Sequence, residues 1–327
     1  MPNFLFFVVM IAIPHKAKQF LLVLVKVLIV GLAFFYIYQH LQADKAISIE
    51  SIIQYLSIKE VLILLLFTIA NWFFEVLKWR NLVGSFKKIS FFEATQQTFG
   101  SLTASIFTPN RIGEYGAKML YFKPENSKRI VLLNFIHNGS QMLVTTLFGV
   151  FGFLLLTFSK TETMFWIGIK LNFISIILFL IILTIAILIL IFFREIEIYG
   201  FSIQKIIDKI RKLDRTILLK TFSFSMFRYL IFSTQFLVLL LFFEVDIEIS
   251  IALATIFTMY LLASILPSIH LMDVAIKGSV ALFLFSKLGV EDWKILTITS
   301  LMWLFNLVLP VILGSYFVIR FKPKTAE

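Results

Sequence analysis

The chain has 327 residues, of which 60% are hydrophobic and 15% charged, and its mean hydropathy is +0.96. Soluble domains carry about 45–50% apolar and about 25% charged residues, so polar surface enough to clothe a water-soluble enzyme domain is missing. The formal charge of +11 comes from short basic clusters between apolar runs, without a nucleic-acid motif, and the absence of Cys excludes disulfides, thiolate metal sites and thiol nucleophiles.

The fold class expected is all-α: a polytopic integral membrane protein with about eight transmembrane helices and at least one broken or re-entrant element. Residues 1–18 read as an N-terminal extension. Its apolar part ends at Ile13, short of the roughly 20 residues a span needs, and it lacks the basic start and cleavage site of a signal peptide. Met10 is an alternative start. Residues 19–321 form a single membrane domain and 322–327 a cytoplasmic tail. Spans are expected at Gln19–Gln39, Glu60–Trp79, Ile130–Thr157, Met164–Phe193, Ile217–Phe243, Ser250–Leu266, Val274–Val290 and Ile295–Ile319. The shortness of Val274–Val290 leaves open whether it spans or re-enters.

Lys and Arg crowd the linkers from Lys78 to Arg129 and from Arg194 to Lys220, while the other linkers are short, balanced or acidic. Eight spans place every basic linker and both termini in the cytoplasm, which fits a cytoplasmic (inner) membrane. In the second basic linker, Ile203, Ile206, Ile207, Ile210, Leu213 and Ile217 recur at helical spacing among Lys205, Lys209, Arg211, Lys212 and Arg215. Such a helix lies in the headgroup layer, either capturing anionic lipid or simply connecting two spans.

Polar chemistry enters at four places. The stretch Thr98–Lys118 contains Pro109, Gly113 and Gly116, expected as structural breaks that leave backbone groups open; these are tolerated at membrane depth only in a protein-lined or watery cavity. Glu114 and Lys118 stand one turn apart, and Arg111 is a planar donor suited to phosphate. The alternative for this stretch is a solvated cytoplasmic loop. A partial echo, Ala104–Pro109 against Ala263–Pro267, points to a weak repeat of residues 60–157 and 217–319, with Pro267 as a further break and Asp273 and Lys277 as a second i, i+4 pair. The third span carries Asn134, His137, Asn138, Gln141 and Thr145 on one face, and the fifth carries Ser225, Arg228 and Gln235. An ionisable group at membrane depth costs at least about 2.5 kcal/mol, so Arg228 asks for a partner or a polar path.

These residues resemble the lysylphosphatidylglycerol synthase transmembrane-region family, the flippase-like proteins, whose members resemble the N-terminal membrane half of the multiple peptide resistance factor. The family's Pro-x-x-x-Gly-Glu element with a following basic residue is matched by Pro109, Gly113, Glu114 and Lys118, with Arg111 at a position often basic. Asn71–Glu75 running into Lys78-Trp79-Arg80 fits the preceding span, and the resemblance extends from about Gln19 to Phe321. The second family element is matched only by Pro267 and Lys277-Gly278; its Gly pair and Glu are absent, and Asp273 is the nearby acid.

The resemblance implies a lipid flippase or lipid transporter. Its headgroup path would include Arg111, Glu114, Lys118, Asn134, His137, Asn138, Gln141, Arg228, Asp273 and Lys277. The partners implied are membrane lipids, an anionic or aminoacylated phospholipid or a polyprenyl-linked lipid, with no nucleic acid. No catalytic residue, metal site or cofactor is expected. The family's synthase activity belongs to a separate soluble domain, and no such domain is read in this sequence. The alternative is a membrane-embedded enzyme or an accessory subunit of lipid-linked glycan or phospholipid assembly.

Overall fold

A computed structural model describes residues 54–108, 111–158, 202–266 and 272–321, together with Leu24 and Phe35. The expected spans Met164–Phe193 and (those two positions apart) Gln19–Gln39 lie outside the described residues. So do the 1–18 extension, the 322–327 tail, Pro109 and Pro267.

Every regular element among the described residues is helical. They are α1 (Ile58–Val83), α2 (Phe91–Ala104), α3 (Ile112–Met119), α4 (Ser127–Phe158), α5 (Ile203–Arg211), α6 (Arg215–Phe242), α7 (Ile249–Ile265), α8 (Asp273–Phe285), α9 (Asp292–Trp303) and α10 (Leu309–Ile319). Four helical stretches are long and apolar enough to cross a membrane: Ile58–Val83, Pro124–Phe158, Arg215–Phe242 and Asp292–Ile319. The shortest of these, 26 residues, rises about 39 Å at 1.5 Å per residue, against a hydrocarbon core of about 30 Å.

The helices are patterned inside out. On α1 the exposed stripe is Leu62, Leu66, Ile69 and Phe73, whereas Thr68, Asn71, Glu75 and Lys78 are buried. On α4, Phe135, Met142, Leu143, Leu147 and Phe151 are exposed while Asn134 and His137 are fully buried. A helix in water shows the reverse, polar out and apolar in. Apolar surface outward and polar groups inward is what lipid demands, because a polar group facing hydrocarbon finds no partner.

Local chemistry sets the element ends. Ser57 caps α1, its Oγ accepting from the Lys59 N–H at 3.3 Å. Ser90 and Glu93 form a capping box on α2, with the Glu93 N–H donating to Ser90 Oγ (3.1 Å) and the Ser90 N–H to Glu93 Oε2 (2.7 Å). Asp214 caps α6 by accepting from the Thr216 N–H at 2.8 Å. That cap divides the amphipathic stripe expected to run unbroken from Ile203 to Ile217: α5 stops at Arg211, and Ile217 belongs to α6. Ile210, Leu213, Ile217 and Leu218 still pack together against the apolar cluster built on Trp79, Leu82 and Ile130.

One expectation about breaks needs correction. Gly113 and Gly116 do not interrupt a helix; both lie inside α3, and among the described residues the helix is broken at 105–108 and at Arg111. Gly113 is required for close approach instead. A Cβ there would sit 2.7 Å from Thr108 Cγ2, and its N–H donates to Thr108 Oγ1 at 3.0 Å. Gly116 has nothing within 4 Å of where its Cβ would be. Val274–Val290, read as a short span or a re-entrant segment, holds most of the 13-residue α8 followed by a 3₁₀ turn, Ser286–Leu288, and Gly289 at φ 79°. The α-helical part is only about 20 Å long, and α7, with 17 residues, reaches about 26 Å.

The last long stretch contains one π turn, Leu304–Val308, between α9 and α10. Pro310 follows two residues after it, in the first turn of α10. Proline donates no N–H and crowds the carbonyl one turn back, and a widened turn relieves both problems. The π turn places Asn306 toward the centre of the bundle, where it meets Asn71 of α1 and Gln235 of α6.

Candidate functional site

Asn71, Glu75 and Lys78 follow one another at spacings of four and three, so α1 presents them on one face, and all three are buried. Glu75 is the hub of the site. Its Oε2 lies 2.7 Å from Lys78 Nζ and 3.3 Å from Arg228 Nε of α6, and its Oε1 lies 3.2 Å from His137 Nε2 of α4. Gln141 closes the group, Oε1 accepting from Arg228 Nη1 at 3.2 Å and from Lys78 Nζ at 3.4 Å. Ser140 and Ser225 meet hydroxyl to hydroxyl at 2.9 Å, holding α4 against α6. One carboxylate thus ties three helices together.

A second cluster centres on Glu114 of α3. Lys118 Nζ lies 2.7 Å from its Oε1, Arg111 Nε lies 3.3 Å from its Oε2, and Lys118 also donates to Asn134 Oδ1 at 2.8 Å. Lys118 is fully buried, and its ammonium stands 4.0 Å from the centroid of the Trp79 ring. His137 meets the same indole edge-on at 5.8 Å. Trp79, itself fixed by donating Nε1–H to Gln97 Oε1 at 2.8 Å, therefore joins the two clusters. A desolvated cation over an indole gains about 2 kcal/mol, which offsets part of the several kcal/mol that removing an ammonium from water costs.

Arg111 adopts φ 60°, ψ 24° just before α3. A bulky residue in the left-handed region carries roughly 1–3 kcal/mol of strain, and residues held this way concentrate at functional sites. The strained backbone directs the guanidinium to Glu114 while leaving the side chain 24% exposed.

Beside the clusters lies a cavity of about 460 Å³ bounded by α1, α3, α4, α6, α7, α8, α9 and the π turn. Among the described residues its charged lining is Arg111, Arg228, Lys277 and Asp273, three cations against one carboxylate. Behind that lining, Lys78 and Lys118 are matched by Glu75 and Glu114. Counting His137 as uncharged, the whole assembly has five cations for three carboxylates, an excess of two positive charges. Met142, Phe232, Tyr260 and Leu266 supply apolar wall. Such a space attracts an anion that also carries apolar substance.

The sequence-expected residues are distributed as follows. Arg111, Asn138, Gln141, Arg228, Asp273 and Lys277 border the cavity, and Asp273 and Lys277 pair at 2.7 Å. Glu114, Lys118, Asn134 and His137 stand behind it in the buried clusters rather than on its wall. Gln235 is separate from Ser225 and Arg228, bonding instead to the Leu64 carbonyl, Thr68 and Asn306.

Glu75, Lys78, Asn71, Trp79 and Asn306 were not singled out as site residues from sequence. Lys78, counted there among the cytoplasmic flanking charges, is 1% exposed and paired within the bundle, so it contributes nothing to the orientation signal. The same applies to Lys118. The available signal was the Asn71, Glu75, Lys78 stripe itself, which has the same helical spacing as the stripe recognised on α4.

In comparisons with known proteins, no protein-family model matches this chain and no curated protein matches it.

Proposed function

We propose that the protein is a lipid flippase or lipid transporter of the flippase-like type, moving a charged or polyprenyl-linked headgroup between leaflets. The observation that carries this reading is a net-cationic cavity of about 460 Å³ inside a bundle whose outer surface is apolar. Headgroup translocation is slow because charge must cross hydrocarbon, at a cost of several kcal/mol per unpaired ion. A polar path past Arg111, Gln141, Arg228 and Lys277 replaces that crossing with a sequence of paired positions, while the acyl chains stay in lipid. The two i, i+4 pairs on short helices, Glu114–Lys118 and Asp273–Lys277, each close at 2.7 Å. They fit the transporter pattern of repeated elements facing one central site.

In this proposal the chain lies in a cytoplasmic membrane with both termini inside, which requires α8 and its 3₁₀ extension, Asp273–Phe285 with Ser286–Leu288, to complete the eighth crossing through a locally thinned bilayer. The exposed cations Lys87, Lys88, Lys209, Lys212 and Arg320 lie on that side. Because the sequence has no Cys, side-selective labelling of single cysteines introduced at 87, 212 and 320 tests the orientation; labelling of any one from the opposite face contradicts it.

Arg111→Ala and Glu114→Ala are expected to lower headgroup translocation in proteoliposomes by at least about tenfold while the protein still inserts, since each removes a charge-assisted contact of about 1.5–3 kcal/mol. Wild-type rates in both variants exclude these residues from the path.

A further inference from the structure

One wall of the cavity carries a polar chain that neither charge cluster uses. Gln235 donates Nε2–H to the Leu64 carbonyl (3.1 Å) and to Thr68 Oγ1 (3.2 Å). Asn306 donates Nδ2–H to Gln235 Oε1 (2.8 Å) and to the Met302 carbonyl (3.2 Å). Asn71 donates Nδ2–H to Asn306 Oδ1 (2.8 Å).

A backbone carbonyl can only accept. The Leu64 and Met302 carbonyls therefore fix which end of each amide faces which neighbour, and none of the three can be turned over without setting two acceptors against each other. The chain is polarised from end to end, and its open end is an oxygen, Asn71 Oδ1. That atom is buried and has no hydrogen-bond partner among the described residues, and Asn71, only 1% exposed, borders the cavity together with Asn306. The neighbouring Trp72 is 5% exposed and also borders the cavity, and its indole N–H is likewise without a partner. A buried acceptor and a buried donor left open on two residues that border the same cavity are costly unless an occupant completes them.

We infer that the headgroup is an anionic phosphate ester bearing neutral hydroxyl groups, a polyol or glycosyl phosphate, rather than an aminated headgroup; this rests on the lipid-transport proposal above. The phosphate answers Arg111, Arg228 and Lys277. Asn71 Oδ1 requires a donor, and the surplus of positive charge around the cavity disfavours an ammonium in that role. A hydroxyl supplies the donor without charge, and a polyol or glycosyl headgroup also carries oxygens able to accept from the Trp72 N–H.

The test is lipid retention by the purified full-length protein in nanodiscs of phosphatidylcholine doped with one second lipid of matched acyl chains. Phosphatidylglycerol and phosphatidylethanol carry the same charge and differ in their hydroxyl donors. The wild type is expected to retain phosphatidylglycerol about fivefold or more over phosphatidylethanol, and Asn71→Leu is expected to erase that difference while still preferring both to phosphatidylcholine. Equal retention of the two anionic lipids by the wild type overturns the hydroxyl inference and leaves the transport proposal standing. Strongest retention of lysyl-phosphatidylglycerol also overturns it. No anionic preference at all contradicts the transport proposal itself. Complete displacement by equimolar glycerol 3-phosphate in the aqueous phase assigns the site to a soluble polyol phosphate and overturns the lipid assignment. The wild-type comparison stands whether or not the Asn71 variant folds.

Discussion

Glu75→Ala is expected to cost about 3–5 kcal/mol of stability, the range for removing one partner of a buried ion pair. The physical reason is the number of groups that lean on this one carboxylate. Lys78 at 2.7 Å, His137 at 3.2 Å and Arg228 at 3.3 Å come from three helices. Without Glu75, Lys78 and Arg228 face each other across Gln141 with no anion between them. Glu75→Gln keeps the shape and removes the charge, so it should behave nearly as badly as the alanine. Replacing Lys78 by Met alongside Glu75→Gln should recover part of the loss, because one stranded cation disappears with its partner. Thermal unfolding of the purified variants in detergent measures this. A Glu75→Ala protein as stable as the wild type shows that the cluster does not hold α1, α4 and α6 together.

Gly152→Val is the second large effect. A Cβ at this position would lie 2.6 Å from the Ala254 carbonyl oxygen and 2.7 Å from Phe257 Cβ, so α4 and α7 cannot keep their distance. The obstruction is backbone and a Cβ, neither of which can swing aside. Small residues at membrane helix contacts permit this close approach, and packing rather than the hydrophobic effect drives the association. Overpacking costs about 1–3 kcal/mol at ordinary core sites, and the upper end is expected here. Gly139→Ala on the same helix is the control. Nothing lies within 4 Å of its Cβ position, so it should be neutral or stabilising by up to about 1 kcal/mol. Comparable melting behaviour of the two variants contradicts close packing of α4 on α7.

The helical class and four of the expected spans were legible because lipid imposes one rule along a chain: about 20 apolar residues per crossing. The four long helices depart from the sequence reading mainly at their ends, where capping residues such as Ser57 and Asp214 outweigh hydropathy. The polar stripe on α4 and the isolated Arg228 were legible for the same reason, since an amide or guanidinium within an apolar run is conspicuous. The choice of partners was not. Nothing local in Glu75 indicates that it collects groups from α4 and α6, and Lys78 resembles any basic residue near the end of a span. Gly113 and Gly116 illustrate a different gap. Their composition indicates a break, but α3 tolerates both, and the need for Gly113 comes from Thr108 packed against it. The polarised chain from Gln235 through Asn306 to Asn71 depends on a π turn and on residues up to 235 positions apart, which spacing along one helix does not reveal.

Photo-crosslinking with a phosphatidylglycerol analogue that carries the reactive group beside its phosphate tests the headgroup path most directly. Adducts are expected within the cavity wall, on the segments containing Arg111 and Tyr115, Gln141 to Thr145, and Arg228 to Phe232, and excess unlabelled phosphatidylglycerol should suppress them. Adducts confined to the lipid-facing stripe of Leu62, Leu66, Leu147 and Phe151, unaffected by competitor, would contradict a headgroup path through the cavity.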